Sequence, residues 1–165
     1  MPEEPEDDQE GFEKPPSFFP NYPADHVQGE LDLGEPVEVA VEGVFFTESK
    51  GAIQRFVVVS DGERKLPIMI GGFEATAISM ALEGTQPDRP LTHDLIRVLL
   101  EKAGTRVLRV VIDDIWNKTY YAKLHLEHDG EEFQVDCRPS DAIAIALRCE
   151  AQILVSDGIL EQAGD

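Results

Sequence analysis

Basic residues are scarce in this 165-residue chain: fourteen Lys and Arg stand against thirty-three Asp and Glu, for a formal net charge of −19. That balance repels polyanions over long range and excludes nucleic-acid binding by an unaided basic surface. Cysteine is also scarce, which excludes a disulfide scaffold. Cys137 and Cys149 have neither CxxC spacing nor a companion His, and read as small apolar fillers in a reducing compartment. No stretch approaches the roughly 18 apolar residues of a membrane helix. The opening MPEEPEDDQE has neither the basic nor the apolar region of a secretory signal, so a cytoplasmic protein without a membrane partner is expected. Four motifs are missing: a GxxxxGK[ST] phosphate loop, HExxH, GxSxG, and GxGxxG after a strand. Basic stripes interleaved with aromatics are missing as well. What remains, 42% hydrophobic and 28% charged, is a globular composition of one-domain size.

The acidity is concentrated. Residues 1–36 hold eleven acids, one Lys and seven of the eleven prolines, so this fifth of the chain carries −10 and residues 37–165 carry −9. Without periodic apolar residues, 1–36 reads as a disordered acidic arm. Its aromatics Phe12, Phe18, Phe19 and Tyr22 either dock on a partner or on the domain, or are incidental in a solvated tail.

From Val37 the signals alternate between strand and helix. Val37, Val39 and Val41 alternate with polar or small residues, 55–60 is β-branched, and 66–70 is apolar after the turn Asp61-Gly62, giving three strands. A buried helix is expected over 73–82. A second helix has Thr92 as N-cap, a Leu91–Ile96 staple and Gly104 as its stop. Strands then recur at 107–112 and 120–126, followed by one in which Phe133, Val135 and Cys137 face inward. A helix over 139–148, an apolar run at 153–155 and a helix near 158–162 follow. The turn at Asp129-Gly130 matches Asp61-Gly62, and 141–145 matches 74–78 with a one-residue gap. The expected fold is one compact α+β domain, internally duplicated as β-β-β-α-α halves over about 37–104 and 105–165.

Three stretches carry a family resemblance: LPIMIGGFEATAISMALEG at 66–84, RPLTHDL at 89–95 and RPSDAIAIALR at 138–148. They resemble the signature segments of the bifunctional nuclease domain family, small bacterial and plant proteins, over roughly 37–165. The resemblance implies a duplicated β-β-β-α-α fold, a homodimer or higher homo-oligomer, and DNase and RNase activity. It brings no catalytic residues with it.

The chemistry therefore has to be read from side chains. Phosphodiester hydrolysis needs a positive group for charge developing on phosphorus, a base for water and, in most nucleases, carboxylates holding divalent cations. Arg138 precedes a helix opened by Pro139, where it and Ser140 can seat a phosphate. Asp141 competes for that seat unless a metal bridges the two, which points to Mg²⁺ or Mn²⁺ held by Asp136, Asp141 and Glu74, the last being the counterpart of Asp141 in the first half. The bland alternative is a capped helix with Arg138 paired to Asp136, Asp141 or an acid of the other half. His93 and Asp94 open another helix, where a neutral imidazole suits a base or ligand. His125 and His128 point to opposite strand faces, so they are not expected to share a metal unless His128 already lies in the turn. Asp113-Asp114 and Glu131-Glu132 read as solvated strand ends. The leading expectation is a divalent-metal-dependent nuclease on DNA or RNA, with His93, Asp94, Arg138 and Asp141 as catalytic candidates. The alternatives are a non-catalytic dimeric regulatory or interaction module, or a domain binding a small anionic ligand.

Overall fold

A computed structural model describes residues 33–163 as an α+β unit: one seven-stranded sheet with four helices. The expected arm lies outside these residues except for 33–36, which are bound to the fold. The Gly158 N–H donates to the Leu33 carbonyl at 2.7 Å, the Asp157 N–H donates to Glu35 at 3.1 Å, and Pro36 opens the first strand.

The elements run β1 (Pro36–Ser49), β2 (Ala52–Ser60), β3 (Lys65–Ile70), α1 (Gly72–Glu83), α2 (Thr92–Lys102), β4 (Thr105–Trp116), β5 (Thr119–His128), β6 (Glu131–Cys137), α3 (Pro139–Cys149), β7 (Gln152–Ser156) and α4 (Asp157–Ala163). The strand order is β3-β2-β1-β7-β4-β5-β6. Two antiparallel meanders are thus joined by β7, which pairs antiparallel with β1 and parallel with β4.

Alternation determines which strand residues reach the core. Val57 and Val59 of β2, Leu66 and Ile68 of β3, Val110 and Ile112 of β4, and Leu124 and Leu126 of β5 are buried beneath the helices. Helix α3 is the centre of the packing. Its five consecutive residues Ala142, Ile143, Ala144, Ile145 and Ala146 are all buried, because α1 and α2 cover it on one side and the sheet on the other.

The edge strand β6 departs from its expected pattern. Phe133 and Val135 are 43% and 40% exposed, and only Cys137 of the supposed inward face packs on the core. An edge strand that outruns its covering helices exposes both faces, so alternation alone does not bury a side chain there. The start of α2 also differs by one position. Leu91 is the N-cap and Thr92 the first helical residue, and the Asp94 carboxylate accepts from the Leu91 N–H at 2.9 Å.

The feature that positions the site is the meeting of two helix starts that leave opposite edges of the sheet. Helix α1 leaves β3 and α3 leaves β6, at opposite ends of the strand order. Sheet twist brings their starts close enough for one guanidinium to bridge them.

Candidate active site

Three helices place an acid or an imidazole in their first turns: Glu74 in α1, His93 in α2 and Asp141 in α3. Arg138, the extended residue before α3, joins them. Its Nε donates to Asp141 Oδ2 at 2.7 Å and its Nη2 donates to Glu74 Oε1 at 2.8 Å, while His93 Nε2 lies 2.9 Å from Asp141 Oδ1. The result is a continuous row, Glu74–Arg138–Asp141–His93. Side-chain exposure grades along it, from 67% at Arg138 through 25% at Asp141 to 9% at His93.

Gly71 makes room for this arrangement. A Cβ on Gly71 would run into Glu74 Oε2, so a larger residue would require the carboxylate to shift. No side-chain cap bond forms at the starts of α1 and α3. Asp141 spends its oxygens on His93 and Arg138, which is not the cap expected of an ordinary first-turn acid. Burial works to raise the Asp141 carboxyl, but the bonds from His93 and Arg138 override it and hold the group below the ordinary carboxylate range. The Asp141 bond in turn raises Arg138 above its usual value. A carboxylate only accepts, so the Nε2 of His93 carries the proton of the shared bond and Nδ1 is left as the basic nitrogen.

The structure joins four of the expected site residues by hydrogen bonds and gives Asp94 other partners. Asp94, although next to His93, bonds Arg148 Nε at 2.6 Å and the Leu91 N–H, and takes no part in the row. Burial tends to raise its carboxyl, and the Arg148 and Leu91 bonds bring it below its ordinary value. Asp136 lies on β6, in register with Lys123. Ser140 is buried, as His93 is, and makes none of the bonds of the row. Asp113 and Glu132 are not merely solvated: the first bonds Lys123, and the second bonds Arg109 and His125.

The residues do not fit a divalent-metal seat as they stand. The Arg138 guanidinium fills the place between Glu74 and Asp141, and no group of three or more His, Cys, Asp or Glu among the described residues could hold an ion.

Arg148 went unrecognised in the sequence. With a side chain 7% exposed, it donates to Asp94 Oδ1, to the Ala144 carbonyl at 2.9 Å and to the Ala77 carbonyl at 3.0 Å, tying α2, α3 and α1 together. The available signal was a lone Arg continuing an apolar helical run. A groove of about 520 Å³ lies beside this tie, lined among others by Thr85, Pro87, Asp94, Arg97 and Arg148. None of the four row residues lines it.

A family model described as the bifunctional nuclease domain matches residues 57–165. An uncharacterized protein of Mycobacterium tuberculosis is 40% identical over 127 residues, covering 77% of this chain and 76% of that protein. Bifunctional nuclease 1 of Oryza sativa subsp. japonica is 31% identical over 102 residues, covering 60% of this chain and 31% of the rice protein. Bifunctional nuclease 2 of Arabidopsis thaliana is 31% identical over 94 residues, covering 55% and 29%. The match therefore spans only about a third of each plant protein. No helix among the described residues is long and apolar enough to cross a membrane.

Proposed function

The chain belongs to the bifunctional nuclease domain family, and on that premise we propose that it hydrolyses phosphodiester bonds of DNA or RNA at the Glu74–Arg138–Asp141–His93 row. The observation that carries this reading is the convergence of two helix starts on one exposed guanidinium, backed by an imidazole from a third held on one of the two carboxylates. In the proposed reaction Arg138 exchanges Glu74 for a phosphate oxygen and offsets the charge that develops on phosphorus. Asp141 keeps the imidazole oriented through Nε2. His93 Nδ1 takes a proton from water as the water oxygen bonds to phosphorus. The bond from phosphorus to the leaving oxygen breaks, and the proton returns to that oxygen. The positive charge that the surface lacks overall is thereby supplied at one point.

A second reading is favoured by the convergence of Glu74 and Asp141 on a single cation: with Arg138 displaced, the two carboxylates would hold Mg²⁺ or Mn²⁺, and the ion would supply the positive charge in place of the guanidinium. One experiment separates the readings. The purified chain, Asp141→Ala and His93→Gln are incubated with single-stranded DNA and with RNA, in EDTA and in Mg²⁺ or Mn²⁺. General acid-base catalysis by the row predicts a loss of about a hundredfold or more in both variants. Cleavage that survives EDTA supports the row acting by itself, and cleavage that EDTA abolishes supports the cation. Equal trace cleavage by wild type and Asp141→Ala overturns the nuclease reading in favour of a regulatory module or an anion-binding domain.

Two finer expectations belong to the proposal. Duplication is supported by Glu74 and Asp141 both sitting third in their helices, and a homodimer by the exposed Phe45, Phe46 and Trp116. Sedimentation at increasing concentration tests the dimer.

A further inference from the structure

Six arginines, at 64, 97, 106, 109, 138 and 148, each hold a carboxylate. Two do not: among the described residues neither Arg89, exposed in the loop before α2, nor Arg55 has a hydrogen-bond or ion-pair partner for its guanidinium, in a chain with more than two acids per base. Arg55 is the one held on a strand. It is half-buried, so it is not simply a solvated side chain that any acid could reach. Its place is defined by the sheet. Arg55 shares the core-facing parity of Val57 and Val59 on β2 and pairs in register with Ile70, the last residue of β3 before the start of α1. Its Cζ lies 3.7 Å from where a Cβ on Gly72 would stand. Two residues further along the same turn, Glu74 holds Arg138. Between them is Phe73, 93% exposed, an extreme value for an aromatic in an otherwise packed helix. The first turn of α1 therefore carries a bare aromatic ring between two residues approached by guanidinium groups from other elements, Arg55 of β2 beside Gly72 and the 67% exposed Arg138 on Glu74.

We propose that Arg55, Phe73 and Arg138 form a strip that holds a single-stranded nucleic acid. Arg138 meets the phosphate to be cleaved, Arg55 meets a neighbouring phosphate, and Phe73 stacks on a base. This rests on the nuclease reading and adds to it the class of substrate and the residues that seat it. Stacking on an aromatic tolerates any base, whereas bases inside a duplex present no free face to Phe73, so the strip selects single strands over duplexes. Recruiting phosphate contacts from separate elements also accounts for the missing basic stripe: the cations become neighbours only after folding.

The test is fluorescence anisotropy with a short fluorescein-labelled phosphorothioate oligothymidylate over a salt series, using the full chain. Each phosphate contact on a single strand contributes about 0.7 to the slope of log affinity against log salt. Arg55→Gln is expected to lower the slope by about that amount and Arg55→Lys to restore it. Phe73→Ala is expected to weaken binding about tenfold with the slope unchanged, and Phe73→Trp to retain affinity. A labelled duplex of the same length should bind more weakly than the single strand. The inference is overturned if Arg55→Gln keeps both slope and affinity, if Phe73→Ala binds like wild type, or if wild type does not bind at low salt. Cleavage is scored separately. A strip that behaves as expected while Asp141→Ala cleaves like wild type leaves the binding site standing and removes the nuclease. An unaltered slope with cleavage lost in Asp141→Ala does the reverse.

Discussion

The Arg148 tie gives a stability prediction that can be worked from its contacts. Arg148→Met keeps most of the aliphatic stem, so the change isolates the guanidinium. It strands the Asp94 carboxylate, 23% exposed, and leaves the Ala77 and Ala144 carbonyls without these donors. Removing one partner of a buried pair costs about 3–5 kcal/mol. The partial exposure of Asp94 places that part at the lower end, about 3 kcal/mol. The two carbonyl bonds add about 1 kcal/mol together, at about 0.5 kcal/mol each. A total near 4 kcal/mol corresponds to roughly 8–16 °C in Tm for a chain of this size. Urea unfolding of wild type, Arg148→Met, Asp94→Asn and the double variant measures it. The double variant should be less destabilised than the sum of the singles, by roughly 1–3 kcal/mol of coupling. A cost for Arg148→Met below about 1 kcal/mol, or strict additivity, would refute the claim that this cation joins three helices. Because those helices carry Glu74, His93 and Asp141, the same variant should also loosen the row.

Three further outcomes are expected. Gly158→Ala would push a Cβ to 3.1 Å from the Leu33 carbonyl oxygen, against backbone that cannot simply rotate away, and should destabilise by about 1–3 kcal/mol in the same unfolding assay. Cys137, whose thiol burial pushes up to about 12, with Asp136 and Asp141 adding to the effect, should resist iodoacetamide at pH 8 in the native protein and react once unfolded in urea. The depressed Asp141 carboxyl contributes stability that is fully present above the unfolded value near 3.8 and is lost as pH falls through the lower folded value. The stability gap between wild type and Asp141→Asn should accordingly be constant from pH 7 to about 5 and shrink below about 4, and a gap that widens on acidification would contradict the sign.

How far the site could be read from the sequence follows from the range of each signal. Pro139 after Arg138, with acids in the first turns of α1 and α3, is a local pattern, and it placed Glu74, Arg138 and Asp141 at helix starts correctly. His93 was likewise visible as a first-turn residue of α2. Asp94 looked equivalent to its neighbour because sequence adjacency does not reveal direction. On a helix, adjacent residues diverge by about 100°, which sends Asp94 to Arg148 while His93 meets Asp141. Arg55 and Arg148 were overlooked since nothing local distinguishes an Arg that will be paired from one that will not.

The order and type of the elements were determined by the sequence itself, through period-two alternation in β1 and β3, the Ala and Ile run of α3, and the turns at Asp61-Gly62 and Asp129-Gly130. These are interactions between residues a few positions apart, and they survive in any arrangement of the elements. Tertiary structure alone decided that β7 enters between β1 and β4, that the starts of α1 and α3 meet, and that Arg138 reaches Glu74 across 64 positions. It decided equally that Phe133 and Val135 remain exposed at an edge. The physical reason is common to all of these: local periodicity specifies which face of an element is apolar, whereas the partner that face or helix start meets depends on sheet twist and strand order, which only the packed whole determines.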